Sequence, residues 1–320
     1  ILLFYFYLSV KIYRSIVKDK IMNIKNLVKS QSVRHIILKS LFWVPDKTML
    51  SLQYRAILHR KLNWRNPQRF TEKIQLYKAL YRNPLMLECT DKYKVRNYVV
   101  NKLGTDKYLN ELYQVCSNAN ELNFSQFPNR FVIKTTDGGN GDNVFICKDK
   151  TQIDIPTIQR KINKWRHRNY PVVSREWAYT GAKASQIIVE KFLYSPESEN
   201  MALYDYKFSC FNGKFKYLWV DIDRYTNHRR AYWDENLQRT NVFIDYPPTQ
   251  EDFQLPNNIQ EMIQIAEKLS EDFPFARIDL YNISGKIIFG EITFYPASGY
   301  SIMKPDTLDF DLGNLFNINF

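Results

Sequence analysis

Residues 276–300 read ARIDLYNISGKIIFGEITFYPASGY, and the reading of one residue in them decides the fold. The run from Phe289 is apolar and aromatic enough for a buried strand, yet it carries Glu291 at its centre. Burying an ionised carboxylate costs several kcal/mol unless a cation meets it, so the strand reading demands a positive partner. Side chains alternate along a strand, which puts Arg277, Asp279 and Tyr281 on one face and Glu291 with Thr293 on one face of the next strand. The NISG linker makes the two strands a hairpin. A loop with an odd number of residues, such as Ser284–Lys286, stands Asp279 directly opposite Glu291, whereas a slip of one residue separates them. Facing carboxylates repel, and the pair persists where a cation bridges it. Hard oxygen donors of this kind suit Mg²⁺. Arg277 beside them is the competing partner, able to neutralise one charge with no metal.

The rest of the chain bounds what that hairpin serves. Its 320 residues, 45% hydrophobic and 15% aromatic, suffice for one large core or two modest ones. Cys89, Cys116, Cys147 and Cys210 lie far apart without a CxxC pair, which argues against a disulfide framework or a zinc ribbon and fits a reducing cytosol. The formal charge of +12 is unevenly spread: Lys11 to Ser40 holds eight Lys or Arg and the single acid Asp19. A basic patch so localised does not make the chain a nucleic-acid binder. The preceding ILLFYFYLSV would rise only about 15 Å as a helix, half the hydrocarbon core of a bilayer. Residues 1–40 therefore read as a basic, partly apolar segment suited to the inner surface of an anionic membrane, or as a solvated helix behind a start at Met22.

From Thr48 to Leu103 the apolar spacing is helical. NPQRF followed by Thr71 predicts a break and then an N-cap for a helix to Tyr81, and a second helix runs from Asp91 to Leu103 with Gly104 as its stop. After Asn123 short β-rich runs take over, interrupted by helices at 156–168 and 257–272. In the latter, Ile259, Met262, Ile263 and Ala266 form one core-facing stripe.

Four further features carry chemistry. In RFVIKTTDGGNGDNVFICK (residues 130–148) a strand ending in Lys134 enters a loop with Gly138, Gly139, Asn140 and Gly141 and leaves as another strand. That is neither a P-loop nor a Rossmann fingerprint. It reads as a hairpin whose N–H groups close over phosphates, or as an ordinary glycine-rich turn. IIVEKFL sets Glu190 and Lys191 in an apolar strand, and Asn212-Gly213 turns a hairpin bearing Lys207 and Lys214, candidates for phosphate contacts. Asp221 and Asp223 form a DxD, the spacing with which many glycosyltransferases hold a metal and a sugar diphosphate. No GxSxG and no HExxH is present, and His35, His59, His167 and His228 are scattered.

Taken in order, a strand lysine, a glycine flap, a strand Glu and a late hairpin with Asp and Glu resemble an ATP-grasp enzyme. DKYKVRNYVVNKLG, FVIKTTDGGNGDNVFICKDK, DYKFSCFNGK, DRYTNHRRAYWD, EMIQIAEKLSEDFPFARIDLY and FGEITFYPASG resemble its TupA-like branch, associated with teichuronopeptide and other surface-polysaccharide synthesis, from about Trp43 to Gly313. The resemblance implies an α+β fold, two α+β subdomains gripping ATP at 125–320 behind a helical region at 41–124. It implies a cytoplasmic, ATP- and Mg²⁺-dependent ligase that joins an amine or amino acid to a carboxylate of a surface-polymer precursor through an acyl phosphate. By position, Lys134 contacts phosphates, Gly138–Gly141 form the flap, Glu190 and Lys191 meet adenine and ribose, and Lys207 supports the phosphates. Asp279 and Glu291 hold Mg²⁺, and Arg277 steadies the acyl phosphate or acidic substrate. Thr293 stands where the superfamily commonly has Asn, and TTDGGNG replaces a His-Gly-Ser-Gly run. The rival readings are a metal-dependent glycosyltransferase using Asp221 and Asp223, and a non-catalytic nucleotide- or polymer-binding protein.

Overall fold

The computed structural model describes residues 38–137, 143–165, 174–181, 185–195, 203–222 and 228–318. The expectations for residues 1–37, for Gly138, Gly139, Asn140 and Gly141, and for Asp223 lie outside them. Residues 1–63 and 64–320 are two compact units. In the first, helix α1 (Asp46–Leu58) ends at His59 in the left-handed region, φ 56°.

The second unit opens with α2 (Phe70–Leu80), α3 (Leu85–Cys89) and α4 (Val95–Leu103). Gly104 stops α4 at φ 69°, as its sequence position predicts. Thr71 does not cap α2. The Glu72 carboxylate folds back to accept the N–H groups of Gln68 and Arg69 at 2.9 and 3.2 Å, and the Thr71 hydroxyl donates to Asp309 at 2.9 Å instead. The cap comes from N3 rather than from the first hydroxyl after the break.

Two antiparallel sheets follow. The smaller has the order β1-β4-β2-β3, from Leu112–Cys116, Ile187–Lys191, Phe131–Thr135 and Val144–Cys147. Its inner face, Phe131, Ile133, Ile187 and Val189, packs with Ile158 and Ile162 of α5 (Ile155–Trp165) into a separate small core. Strand β1 lies ahead of the boundary expected at 125, inside the stretch read as helical. A five-residue strand with a register shift shows too little alternation to announce itself.

The larger sheet has the order β11-β10-β5-β6-β7-β8. Its strands are β5 (Asp205–Phe211), β6 (Lys214–Ile222), β7 (Arg229–Asp234), β8 (Arg239–Thr240), β10 (Phe275–Ile283) and β11 (Lys286–Thr293). One face, including Phe208, Cys210, Ile278, Leu280 and Ile292, forms the main core with Met262, Ile265, Ala266 and Leu269 of α6 (Ile259–Ser270). Strand β9 (Phe243–Ile244) pairs with β12 (Met303–Lys304), and α7 (Thr307–Leu315) closes the chain. Period-2 alternation thus leaves the opposite face of the large sheet to polar residues.

Candidate active site

Cross-strand register assembles that polar face. The β10–β11 turn is Ser284-Gly285, both with positive φ (49° and 87°), and Ile283 pairs with Lys286. The loop therefore has two residues, not the odd number that a facing pair of carboxylates seemed to need. Without correction, Asp279 would face Gly290. A β-bulge between Asp279 and Leu280 shifts the register by one, and Asp279 pairs with Glu291 and Arg277 with Thr293. Gly290 is the bulged residue, and a Cβ there would meet Asp279 O at 2.9 Å. Only glycine lets the bulge close.

Register then adds the neighbours. Asp279 faces Lys207 on β5, Asp205 faces Asp221 on β6, and Asp221 faces Arg230 on β7. Arg277 grips Asp279 with Nε at 2.6 Å from Oδ1 and Nη2 at 2.7 Å from Oδ2, and the same Nη2 donates to Glu291 at 3.2 Å and to Thr293 Oγ1 at 3.0 Å. Lys207 Nζ lies 2.9 Å from Asp279 and 3.9 Å from Asp221, and also bonds Asp205. Asp221 is shared between Arg230 at 2.7 Å and His228 Nε2 at 2.9 Å.

The charge at Glu291 is thus answered differently from the way the sequence posed it. Its side chain is 48% exposed, while that of Asp279 is 3% exposed, so the strand leaves Glu291 partly open to solvent instead of burying it. Burial pushes the Asp279 carboxyl up, to about 6, against the pull of Arg277 and Lys207. Crowding opposes ionisation of Glu291 too, but Arg277, Lys207 and Lys92 hold it below its ordinary value. Burial lowers Lys207, and Asp205 and Asp279 more than restore it, so its ammonium is held above the usual lysine range.

On the small sheet, Lys134 Nζ lies 2.9 Å from Glu190 Oε2, and Arg96 lies 3.6 Å from Oε1. Glu190 pairs with Val132, so it shares a face with Lys134. Lys191 alternates to the opposite face, where it pairs with Glu111 at 3.1 Å with both side chains more than half exposed. Glu190 and Lys191 are therefore not brought to one site by their side chains. Lys214 sits at the turn end of the β5–β6 hairpin beside Glu267, away from Lys207.

Lys92, inside DKYK, joins the two sheets. Its N–H donates to Thr136 O at 3.0 Å, at the base of the glycine loop. Burial holds its ammonium below the ordinary range, with Glu291 of one sheet and Lys134 of the other both within electrostatic reach. Asp91, whose Oδ1 accepts the N–H groups of Tyr93 and Lys94 at 2.9 Å, fixes the turn that places it. An Asx turn ahead of a helix was the available signal.

The donor set fits a hard divalent cation: two facing carboxylates and the Thr293 hydroxyl, with Glu291 partly open to solvent. Among the described residues no group of three or more His, Cys, Asp or Glu gathers as a metal cage. Asp221 Oδ1 is shared by Arg230 and His228, and both oxygens of Asp279 are held by Arg277 and Lys207, so Glu291 is the more open donor of the set.

Among solved structures, D-alanine–D-alanine ligase from Bacillus anthracis is similar at 18% identity and a TM-score of 0.40, over 65% of this chain and 57% of that one. The Helicobacter pylori D-Ala-D-Ala ligase gives 15% and 0.38, over 71% and 60%. An L-amino acid ligase from Bacillus licheniformis gives 15% and 0.38, over 72% and 47%. This chain thus spans roughly half the length of each. A search of curated protein sequences gave no significant match. Residues 72–317 match the family described as TupA-like ATPgrasp, from the capping Glu72 to the residue after Phe316. The chain belongs to the TupA-like ATP-grasp family.

Proposed function

We infer that the protein is an ATP- and Mg²⁺-dependent carboxylate–amine ligase that acts through an acyl phosphate on a carboxylate-bearing precursor of a bacterial surface polymer. One observation carries this reading: Asp279 and Glu291 stand opposite each other with Arg277 bonded to both, and Lys92 lies within electrostatic reach of Glu291 and Lys134. An amide does not form from a free carboxylate at a useful rate, and phosphorylation supplies the leaving group. Charge must then be neutralised as the phosphoryl moves.

The chain's own residues divide that work. Lys134 and Lys92 present fixed positive charge toward the phosphates, Lys134 being restrained by Glu190. Asp279, Glu291 and Thr293 would hold Mg²⁺, which when bound neutralises phosphate oxygens. Arg277, anchored by Asp279, points its Nη2 to Glu291 and orients the acidic substrate or its acyl phosphate. Lys207 keeps three carboxylates in one place, an internal counter-charge more than a phosphate ligand. No helix among the described residues is long and apolar enough to cross a membrane. The reading puts the chain in the cytoplasm, where the basic N-terminal segment would favour the inner membrane face.

The test follows ADP release from MgATP with a panel of uronic acids and amino acids. The reading expects turnover that needs both an acid and an amine; ADP release indifferent to every acid and amine would count against it.

A further inference from the structure

Beside Arg277, away from Glu291, the polar face of the large sheet encloses a cavity of about 60 Å³. Ser209, Trp219, Arg230 and Arg277 line it from the sheet, Pro296, Ala297 and Ser301 cover it from the segment after β11, and apolar side chains such as Phe211 and Leu312 form much of the remaining wall. Trp219 is 6% exposed and its indole N–H has no hydrogen-bond partner. An unpaired buried donor costs about 1–3 kcal/mol, and at a cavity wall an acceptor that enters the cavity removes that cost. The guanidiniums of Arg230 and Arg277 lie 5.6 and 5.8 Å from the centre of the same indole ring. Both are preset, Arg230 by Asp221 at 2.7 Å and Ile244 O at 2.8 Å, Arg277 by Asp279. The one acid on the wall, Asp245, accepts the Ile302 N–H at 2.9 Å.

The roof is equally fixed. Ala297 and Ser298 adopt left-handed backbone at φ 46° and 56°, a strained pair that surrounding structure must enforce. Gln75 Nε2 donates to the carbonyls of Ser298 and Gly299 at 3.1 and 3.0 Å, and the Lys78 ammonium donates to Ser298 Oγ at 2.9 Å.

Two cations and a lone N–H donor around so small a space select a planar anion. The volume is well below the ~150 Å³ that accepts a benzene ring, so a carboxylate enters and a sugar ring does not.

We propose that this cavity binds a carboxylate of the substrate, held by the Trp219 N–H and the Arg230 and Arg277 guanidiniums. The proposal rests on the ligase reading for the identity of the substrate. Two sources share the chemistry: the α-carboxylate of an amino acid, and the carboxylate of an acidic sugar.

The test is calorimetric titration of the wild type and Trp219→Phe, which keeps the ring and loses the N–H. The probes are glycine, L-alanine, L-glutamate, D-glucuronate and D-galacturonate, each beside its amide, with MgATP titrated into the same preparations. The expected result is binding of at least one carboxylate but not its amide, about tenfold weaker in Trp219→Phe, with MgATP affinity unchanged. Which probe binds names the source. No bound carboxylate in a wild type that binds MgATP, or equal binding by the variant, overturns the proposal. Carboxylate binding that follows the expected pattern without any MgATP binding supports the cavity and removes the ligase reading.

Discussion

Lys207 and Asp279 face each other across the β5–β10 register, and the 2.9 Å bond between them is the centre of a buried cluster in which one ammonium serves Asp205, Asp221 and Asp279. The cation that the sequence demanded for the hairpin is partly this lysine, supplied from a strand 72 residues upstream.

Replacing Lys207 leaves buried carboxylates without a counter-charge, a change that costs about 3–5 kcal/mol when one member of a buried pair is removed. Lys207→Met is expected to lose at least about 3 kcal/mol at pH 7 and less at pH 5, where the orphaned acids take up protons. Urea denaturation at both pH values reads the difference, and a loss independent of pH would refute the electrostatic origin.

Asp221 gives a pH signature in the same direction but at lower pH. Burial resists its ionisation, but Arg230, Lys207 and His228 outweigh this and hold the carboxyl at about 2. Its folded value is below its unfolded one, so its contribution is complete above about pH 4 and is lost as pH falls toward 2. At about 1.4 kcal/mol per pH unit this is worth ~2 kcal/mol, and Asp221→Asn is expected to be destabilised by at least that at pH 7 with the gap closing below pH 4. Unfolding midpoints measured from pH 3 to 7 check it.

The bulge makes a sharper prediction, because it decides whether the two carboxylates meet. Gly290→Ala drives a Cβ against Asp279 O and is expected to cost about 1–3 kcal/mol, the usual range for overpacking. More telling, it should reduce MgATP-dependent turnover far more than stability accounts for, since relief of the clash moves Glu291 off its partner. Turnover at a temperature well below the variant's midpoint separates the two effects.

Lys92→Met removes an ammonium poised between Glu291 and Lys134 while keeping the stem. ATP affinity is expected to fall at least about tenfold, the value of one charge-assisted contact, with little change in the unfolding midpoint. Calorimetric titration with MgATP beside thermal denaturation provides both readouts.

How much of this was legible in the sequence follows from how local each feature is. Strands 131–135, 144–147, 187–191 and 205–222 announced themselves by β-branched and aromatic runs, and Gly104 by the left-handed stop it provides. Arg277, Asp279 and Glu291 were readable because alternation within one hairpin fixes their face. The loop length was misjudged, and the face survived only because Gly290 carries a bulge that a run of letters does not display. The carboxylate neighbours of Lys207, and the places of Arg230 and Trp219, were not legible because they come from strands distant in sequence. Lys191 came with Glu190 from the family resemblance, and alternation along the strand sends their side chains to opposite faces.

The account depends on Asp279 and Glu291 acting together toward a metal nucleotide, and thermal unfolding with and without MgATP tests it most directly. A nucleotide bound only by the folded chain at a hundred times its Kd adds about 2.7 kcal/mol, several degrees for a chain of this size. The wild type is expected to rise by that amount with MgATP and not with MgUTP or with EDTA present, and Glu291→Gln to keep its basal midpoint and lose most of the rise. An equal rise in Glu291→Gln, or none in the wild type at millimolar MgATP, would contradict the account.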